Sequence, residues 1–247
     1  MATVAAPPLD RHAAERRFYT RMALFLIVLM FIGFAPSFFL RGIVSLSPRP
    51  NPTLPLSVLL HGVLFTAWML VLVAQTQLVT AGRRDLHMKL GAASMLLAIA
   101  MVPMMYLIAV WQVARANTPP FTTPLDWTIL PLMAIPTFTA AVWLGWKRRR
   151  DPQWHKRMML SAALLVVVGP AFGRLPIAPP TTAGFSVQLL LSLLFFVPLF
   201  LWDRRSLGRV HPATWLGFGL FAASVIVPLI LIATGSWAPI AQHLPGV

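Results

Sequence analysis

Seven apolar stretches govern what this chain can become, each about 18 to 24 residues long and so able to cross a hydrocarbon core of roughly 30 Å. They fall near 21–41, 55–80, 89–112, 127–146, 157–174, 185–202 and 214–234. Lipid offers backbone amides no hydrogen bonds, so a chain of this kind crosses as helices. The expected fold is all-α, a polytopic membrane helix bundle of seven transmembrane helices. Only 11% of the residues are charged and 58% are hydrophobic, whereas a soluble domain carries about 25% charged residues. Residues 1–20 read as a polar N-terminal tail, 21–234 as the seven-helix domain and 235–247 as a short outer tail. The first stretch is too long and too directly preceded by Arg21 to be a cleaved signal, so the N-terminal tail is expected to be retained.

The basic residues set the orientation. Arg11, Arg16, Arg17, Arg21, Arg83, Arg84, Lys89, Lys147, Arg148, Arg149, Arg150, Lys156, Arg157, Arg204, Arg205 and Arg209 lie in the N-terminal tail or in the turns after spans two, four and six. That is 16 of the 20 basic residues, leaving Arg41, Arg49, Arg115 and Arg174 for the other side. Short basic loops stay in the cytoplasm, which places the N-terminus there and, with seven spans, the C-terminus outside. The net charge of +14 is thus a matter of membrane topology, and nucleic acid is not an expected partner. The absence of cysteine excludes disulfides, zinc–thiolate sites and iron–sulfur clusters.

Three of the basic turns are alike: GRRDLHMKLG (82–91), RRRDPQWHKRMM (148–159) and DRRSLGRVHPATWLG (203–217). Each joins two spans, carries an arginine pair and brings a histidine to the next helix. Spans two–three, four–five and six–seven therefore read as three degenerate helical hairpins added to one leading helix. The connections on the other side, SLSPRPNPTLP, RANTPPFTTPLD and LPIAPPTTAGF, are proline-rich and should be irregular caps.

Histidine carries the strongest chemistry available here. His87, His155 and His211 are expected at the cytoplasmic interface, where convergence would make a metal site for copper or zinc, or a pair would grip haem iron. The competing reading has each histidine at a helix start, donating hydrogen bonds to the previous turn or reaching phosphate headgroups. His61, 26 residues before His87, belongs at the outer end of span two, since a rise of 1.5 Å per residue separates the two by the bilayer. His61, Trp68 and Gln75 are spaced by seven, so they share one face of that helix, which should look into the bundle. Arg41, Arg115 and Arg174 end spans one, three and five on the outer side. With His61 they could form a cationic rim for a carboxylate or phosphate headgroup, with Trp68 and Gln75 deeper in; the alternative is lipid anchoring.

Other signals are weaker. Prolines 36, 103, 131, 136, 170, 198 and 228 fall in or near six spans, as in transporters with broken helices, although single prolines are frequent in membrane helices. Asp85, Asp126, Asp151 and Asp203 read as turn or end residues, which disfavours ion coupling through a deep carboxylate. The methionines show no ladder beyond Met101 and Met105 and read as packing residues. Neither a hydrolase triad nor a phosphate-binding glycine loop is present.

The segments HGVLFTAWMLVLVAQTQLV (61–79), GRRDLHMKLG, WHKRMMLSA (154–162) and GRVHPAT (208–214) together resemble a widespread group of bacterial multi-pass inner-membrane proteins of unknown function. That resemblance implies a helical bundle in the cell inner membrane, surrounded by the lipid bilayer. WHKRMMLSA with His61 and His87 is also similar to small membrane proteins associated with terminal-oxidase assembly, which handle haem and copper; there His61, His87 and His155 would carry over, and respiratory membrane complexes would be the partners. Two functions follow as expectations: an accessory or assembly factor with cofactor-binding His61, His87, His155 and His211, or a binding or transport protein for a small organic anion or lipid.

Overall fold

The structure, a computed structural model, describes residues 8–44 and 53–247. Seven helices among them are long and apolar enough to span a membrane, and these residues contain no strand. Helix α1 (Pro8–Phe34) ends in a π-turn over Ala35–Phe39 that contains Pro36. It is followed by α2 (Leu56–Thr80), α3 (Arg84–Arg115), a short α4 (Pro124–Trp127), α5 (Ile129–Lys147) and α6 (Pro152–Phe172). The sixth span comprises α7 (Thr182–Leu191), a 3₁₀ stretch at Ser192–Phe196, and α8 (Val197–Leu207). The chain finishes with α9 (Pro212–Ala233) and a one-turn α10 (Ala238–Ala241). The seven expected spans are all present, and turns of three or four residues at 81–83, 148–151 and 208–211 make the three hairpins. Gly82 and Gly208, at φ +74° and +71°, supply the left-handed residue that lets two of those turns reverse so quickly.

The central helix is α6, not α2. In α6 67% of the most apolar 18-residue window is buried, against 11% in α2. The physical reason is compositional. α6 has the lowest mean hydropathy of the seven spans, 1.2 against 2.2 for α2, so lipid contact suits it least. Its small residues Ser161, Ala162 and Ala163 are all buried and let neighbouring backbones close in. Gly217 of α9 lies against the Ser161 side chain, and a Cβ on Gly33 of α1 would stand 2.5 Å from the Ala171 carbonyl oxygen of α6. Around this axis Met69, Met101, Phe138, Leu164, Phe196 and Phe221 complete a dry core.

Both ends of the bundle depart from simple tails. The helix that becomes the first span begins at Pro8, so residues 8–20 are helical and dock: Tyr19 is buried and Phe18 stacks on Trp202, ring centres 4.8 Å apart. At the proline-rich end the last residues fold back onto the bundle. Tyr106 Oη donates to the Pro245 carbonyl (2.9 Å) and Trp237 Nε1 to Thr128 Oγ1 (2.8 Å).

Candidate functional site

Two polar regions lie at opposite ends of the bundle. At the basic end the three histidines are set by helix starts. Asp151 caps α6, its Oδ1 accepting from the amides of Gln153 (2.9 Å) and Trp154 (3.2 Å), with Pro152 at the first helical position. His211 caps α9 in the same way, Nδ1 accepting from the Ala213 amide at 3.1 Å, followed by Pro212. His87 and His155 are instead the fourth residues of α3 and α6. That offset of four positions, about one turn or 6 Å along a helix, decides which histidines meet. The His87 and His155 rings lie 6.1 Å apart at right angles, whereas His211 packs on the Trp154 ring at 5.7 Å. No group of three or more metal-ligating side chains forms among the described residues.

His155 Nδ1 is 2.9 Å from the Gly145 carbonyl, which can only accept, so Nδ1 carries a proton and the hydrogen bond fixes the orientation of the ring. Beside it His87 Nδ1 and Gln75 Oε1 are buried and make no hydrogen bond among the described residues. Gln75 faces α3, where its Nε2 would be 3.3 Å from a Cβ on Gly91. Trp68 also faces inward, 3% exposed and edge-on to Phe138 at 5.4 Å. The inward face of α2 is therefore real, although it reaches the histidine pair at one end and the packed core in the middle.

The same end holds a group that sequence reasoning missed. Arg157 and Asp203 are both fully buried and paired. Arg157 Nε donates to Asp203 Oδ1 at 3.0 Å and Nη2 donates to the same oxygen. Nη1 donates to the backbone oxygen and to Oε1 of Gln153, at 3.0 and 2.6 Å. Asp203 Oδ2 accepts from the His211 amide (2.9 Å) and the Thr214 hydroxyl (2.6 Å). One residue earlier Lys156 pairs with Glu15 of α1. The capping signal Asp151–Pro152 was the clue: a helix started there puts Arg157 in its second turn, inside the bundle rather than in the basic loop.

At the proline-rich end the bundle opens into a cavity of about 330 Å³, within the range of roughly 300 to 1,000 Å³ typical of small-molecule sites. Its walls come from α1, α2, α3, α5, α6, α7 and α9, and are mostly apolar: Met30, Phe34, Phe65, Met105, Leu165 and Phe221 among them. Three of the expected rim residues line it, namely His61, Arg115 and Arg174, joined by Gln112 and Asn117. Arg41 is exposed and stands outside it, and Trp68 and Gln75 lie below its floor.

Both guanidinium groups are positioned by backbone carbonyls, one at the end of α6 and one in the segment before α2. Arg174 Nη1 donates to Pro170 O at 2.6 Å, and its guanidinium lies 4.2 Å from the centre of the Phe34 ring. Arg115 Nη2 donates to Thr53 O at 2.8 Å. His61 stacks on Phe65 at 4.2 Å, and its buried Nδ1 makes no hydrogen bond among the described residues. Gln112, 9% exposed, spends its amide on Pro124 O (2.8 Å), and its Oε1 has no partner among the described residues. Prolines shape the wall. Pro170 and Pro228 cannot donate to the carbonyls four residues back, at Val166 and Ser224, and both of those residues line the cavity. The arrangement suits a ligand with an apolar body and a small anionic head: the walls bury the body and two guanidinium groups stand near the head. No known protein family, no curated protein and no solved structure matches the chain.

Proposed function

We propose that the protein binds a small amphiphilic anion, a carboxylate or phosphate head on an apolar body, which enters its cavity from the outer face of the membrane. One observation carries this reading: His61 of α2, Arg115 of α3 and Arg174 in the turn after α6 line the same apolar-walled cavity. A cationic rim for lipid anchoring alone would leave the arginines spread around the headgroup layer. The reading of a haem- or metal-handling assembly factor in a bacterial inner membrane draws support from the His87–His155 pair and from the hydrogen bond of His155 Nδ1 to the Gly145 carbonyl, since ligating histidines usually donate their other nitrogen to a carbonyl or carboxylate.

The test is binding by the full chain in lipid nanodiscs, with octanoate, octyl phosphate and uncharged octanol followed by titration calorimetry. Saturable binding of either anion is expected, with octanol failing. Arg174→Glu should abolish it while Arg174→Lys retains part. Absence of binding by both anions, or binding indifferent to Arg174→Glu, would overturn the reading. Metal analysis and an absorbance scan of the same sample address the histidine pair: a Soret band or stoichiometric copper lost in His155→Ala would favour the second function instead.

A further inference from the structure

We infer that the protein carries its ligand across the membrane, that the cavity is the outward-facing half of the path, and that the buried charges at the opposite end are the inner closure. This rests on the binding reading above and extends it from a receptor to a transporter. The two halves are stacked along α6. Nine residues, about 13 Å, separate Arg174 at the mouth from Leu165 near the cavity floor, and eight more, about 12 Å, lead from Leu165 to Arg157. Between floor and closure Ser161, Ala162, Ala163 and Leu164 are buried, so the path is shut there.

The closure links the helices that would have to part. Glu15 to Lys156 joins α1 to α6, Arg157 to Asp203 joins α6 to α8, and Asp203 to Thr214 joins α8 to α9. The Phe18–Trp202 stack covers the same seam between α1 and α8. Beside these satisfied charges two polar atoms are buried and make no hydrogen bond among the described residues, Tyr19 Oη, whose ring lies under the Lys156 ammonium, and Trp202 Nε1. In the closed state these groups forgo their partners. Water entering the seam would satisfy them, which offsets part of what separating the ion pairs costs. The wall helices α3, α5, α6 and α9 each contain a proline, Pro103, Pro136, Pro170 and Pro228, and each proline leaves the carbonyl four residues back without its amide donor, which loosens the helix at that point. A mouth open on one side, a bonded seam on the other and bendable walls between them are the elements of alternating access.

The absence of cysteine makes the test direct. Glu15→Cys with Lys156→Cys places two thiols across the seam, at side chains 23% and 17% exposed, where substitution spares the core. In proteoliposomes radiolabelled octyl phosphate should accumulate down its gradient, and a short bis-thiosulfonate cross-linker should reduce uptake to the leak of empty vesicles. Reductant should restore it, and the cross-linked protein should still bind octyl phosphate at its outer mouth. Binding without uptake by the wild type overturns the transport inference and leaves the binding reading standing. Uptake that survives confirmed cross-linking overturns the assignment of the inner closure. Failure to bind at all is failure of the underlying reading.

Discussion

Asp203→Leu puts the largest single energy in the molecule under test. The substitution leaves Arg157, which is fully buried, with only the two Gln153 oxygens. Removing one partner of a buried ion pair costs about 3 to 5 kcal/mol, because the remaining charge stays uncompensated. The His211 amide and the Thr214 hydroxyl also lose their acceptor, which adds about 1 kcal/mol each. The sum, roughly 5 to 7 kcal/mol, is comparable to the whole stability of many domains, so the single variant should be recovered poorly or unfold early. Arg157→Met in the same chain removes the stranded charge and should return most of the first contribution, leaving a deficit of about 2 kcal/mol for the two orphaned donors. The assay is unfolding in mixed micelles followed by circular dichroism, with Thr214→Val measured alongside to isolate one donor. A double variant no more stable than Asp203→Leu would refute the charge-pair argument. So would a single variant that loses less than about 1 kcal/mol, since that would mean water reaches the pair.

Two smaller predictions follow from the histidines and from α2. Burial, reinforced by the nearby Arg157 charge, holds His211 below its ordinary imidazole value, in keeping with an Nδ1 that must stay unprotonated to cap α9. A histidine whose folded value is depressed contributes stability that is complete above about pH 6.5 and is lost as pH falls through the folded value; unfolding between pH 8 and 5 should show this slope, and His211→Asn, which caps without titrating, should flatten it. Gln75→Leu should change stability by only about 0.6 kcal/mol, the average for a polar contact in a membrane bundle. Because Gln75 Oε1 is buried without a hydrogen bond among the described residues, the sign should be neutral or stabilising, and a loss above about 2 kcal/mol in thermal unfolding would show that it has a partner after all.

Span count and hairpin pattern were legible in the sequence because length and charge asymmetry are local properties that lipid enforces strictly. Which helix sits at the centre was readable in principle. The seven-residue spacing of His61, Trp68 and Gln75 marks an inward face on α2, yet the rank of mean hydropathy already separates α6 from the rest. The site was legible only in part. Arg115, Arg174 and His61 end up lining one cavity because each lies at or near a helix end on the same side, and end positions follow from topology. Arg41 has the same topology but lies beyond the π-turn at Ala35–Phe39, which carries it away from the mouth. The convergence of His87 with His155 and not with His211 depends on a four-residue register that the shared turn motif conceals. The Arg157–Asp203 pair depends on helix packing, which no local pattern expresses; both residues look like members of basic turns until the start of α6 is fixed by its cap.

The close approach of α1 and α6 gives a last prediction with opposite signs at two glycines. Gly33 is buried in α1, and a Cβ there would meet backbone atoms of Ala171 at 2.5 to 2.8 Å. Backbone cannot rotate aside as a side chain does, so Gly33→Ala must push the two helices apart, an overpacking cost of about 1 to 3 kcal/mol. Gly219 sits in α9 on an exposed face with no atom within 4 Å of the added methyl. There alanine meets open space and gains its helical preference, up to about 1 kcal/mol. Gly33→Ala should therefore lower the unfolding midpoint and Gly219→Ala should hold or raise it. The effect on the cavity should differ as well, because Met30 and Phe34 flank Gly33 on α1 and Gly169 and Pro170 precede Ala171 on α6, and all four line the wall. Widening that seam should weaken binding of octyl phosphate in Gly33→Ala and leave Gly219→Ala at the wild-type value. Equal stability of the two variants would mean that α1 is free to slide over α6, and the tight contact that positions Phe34 beneath Arg174 would no longer explain how the mouth is held.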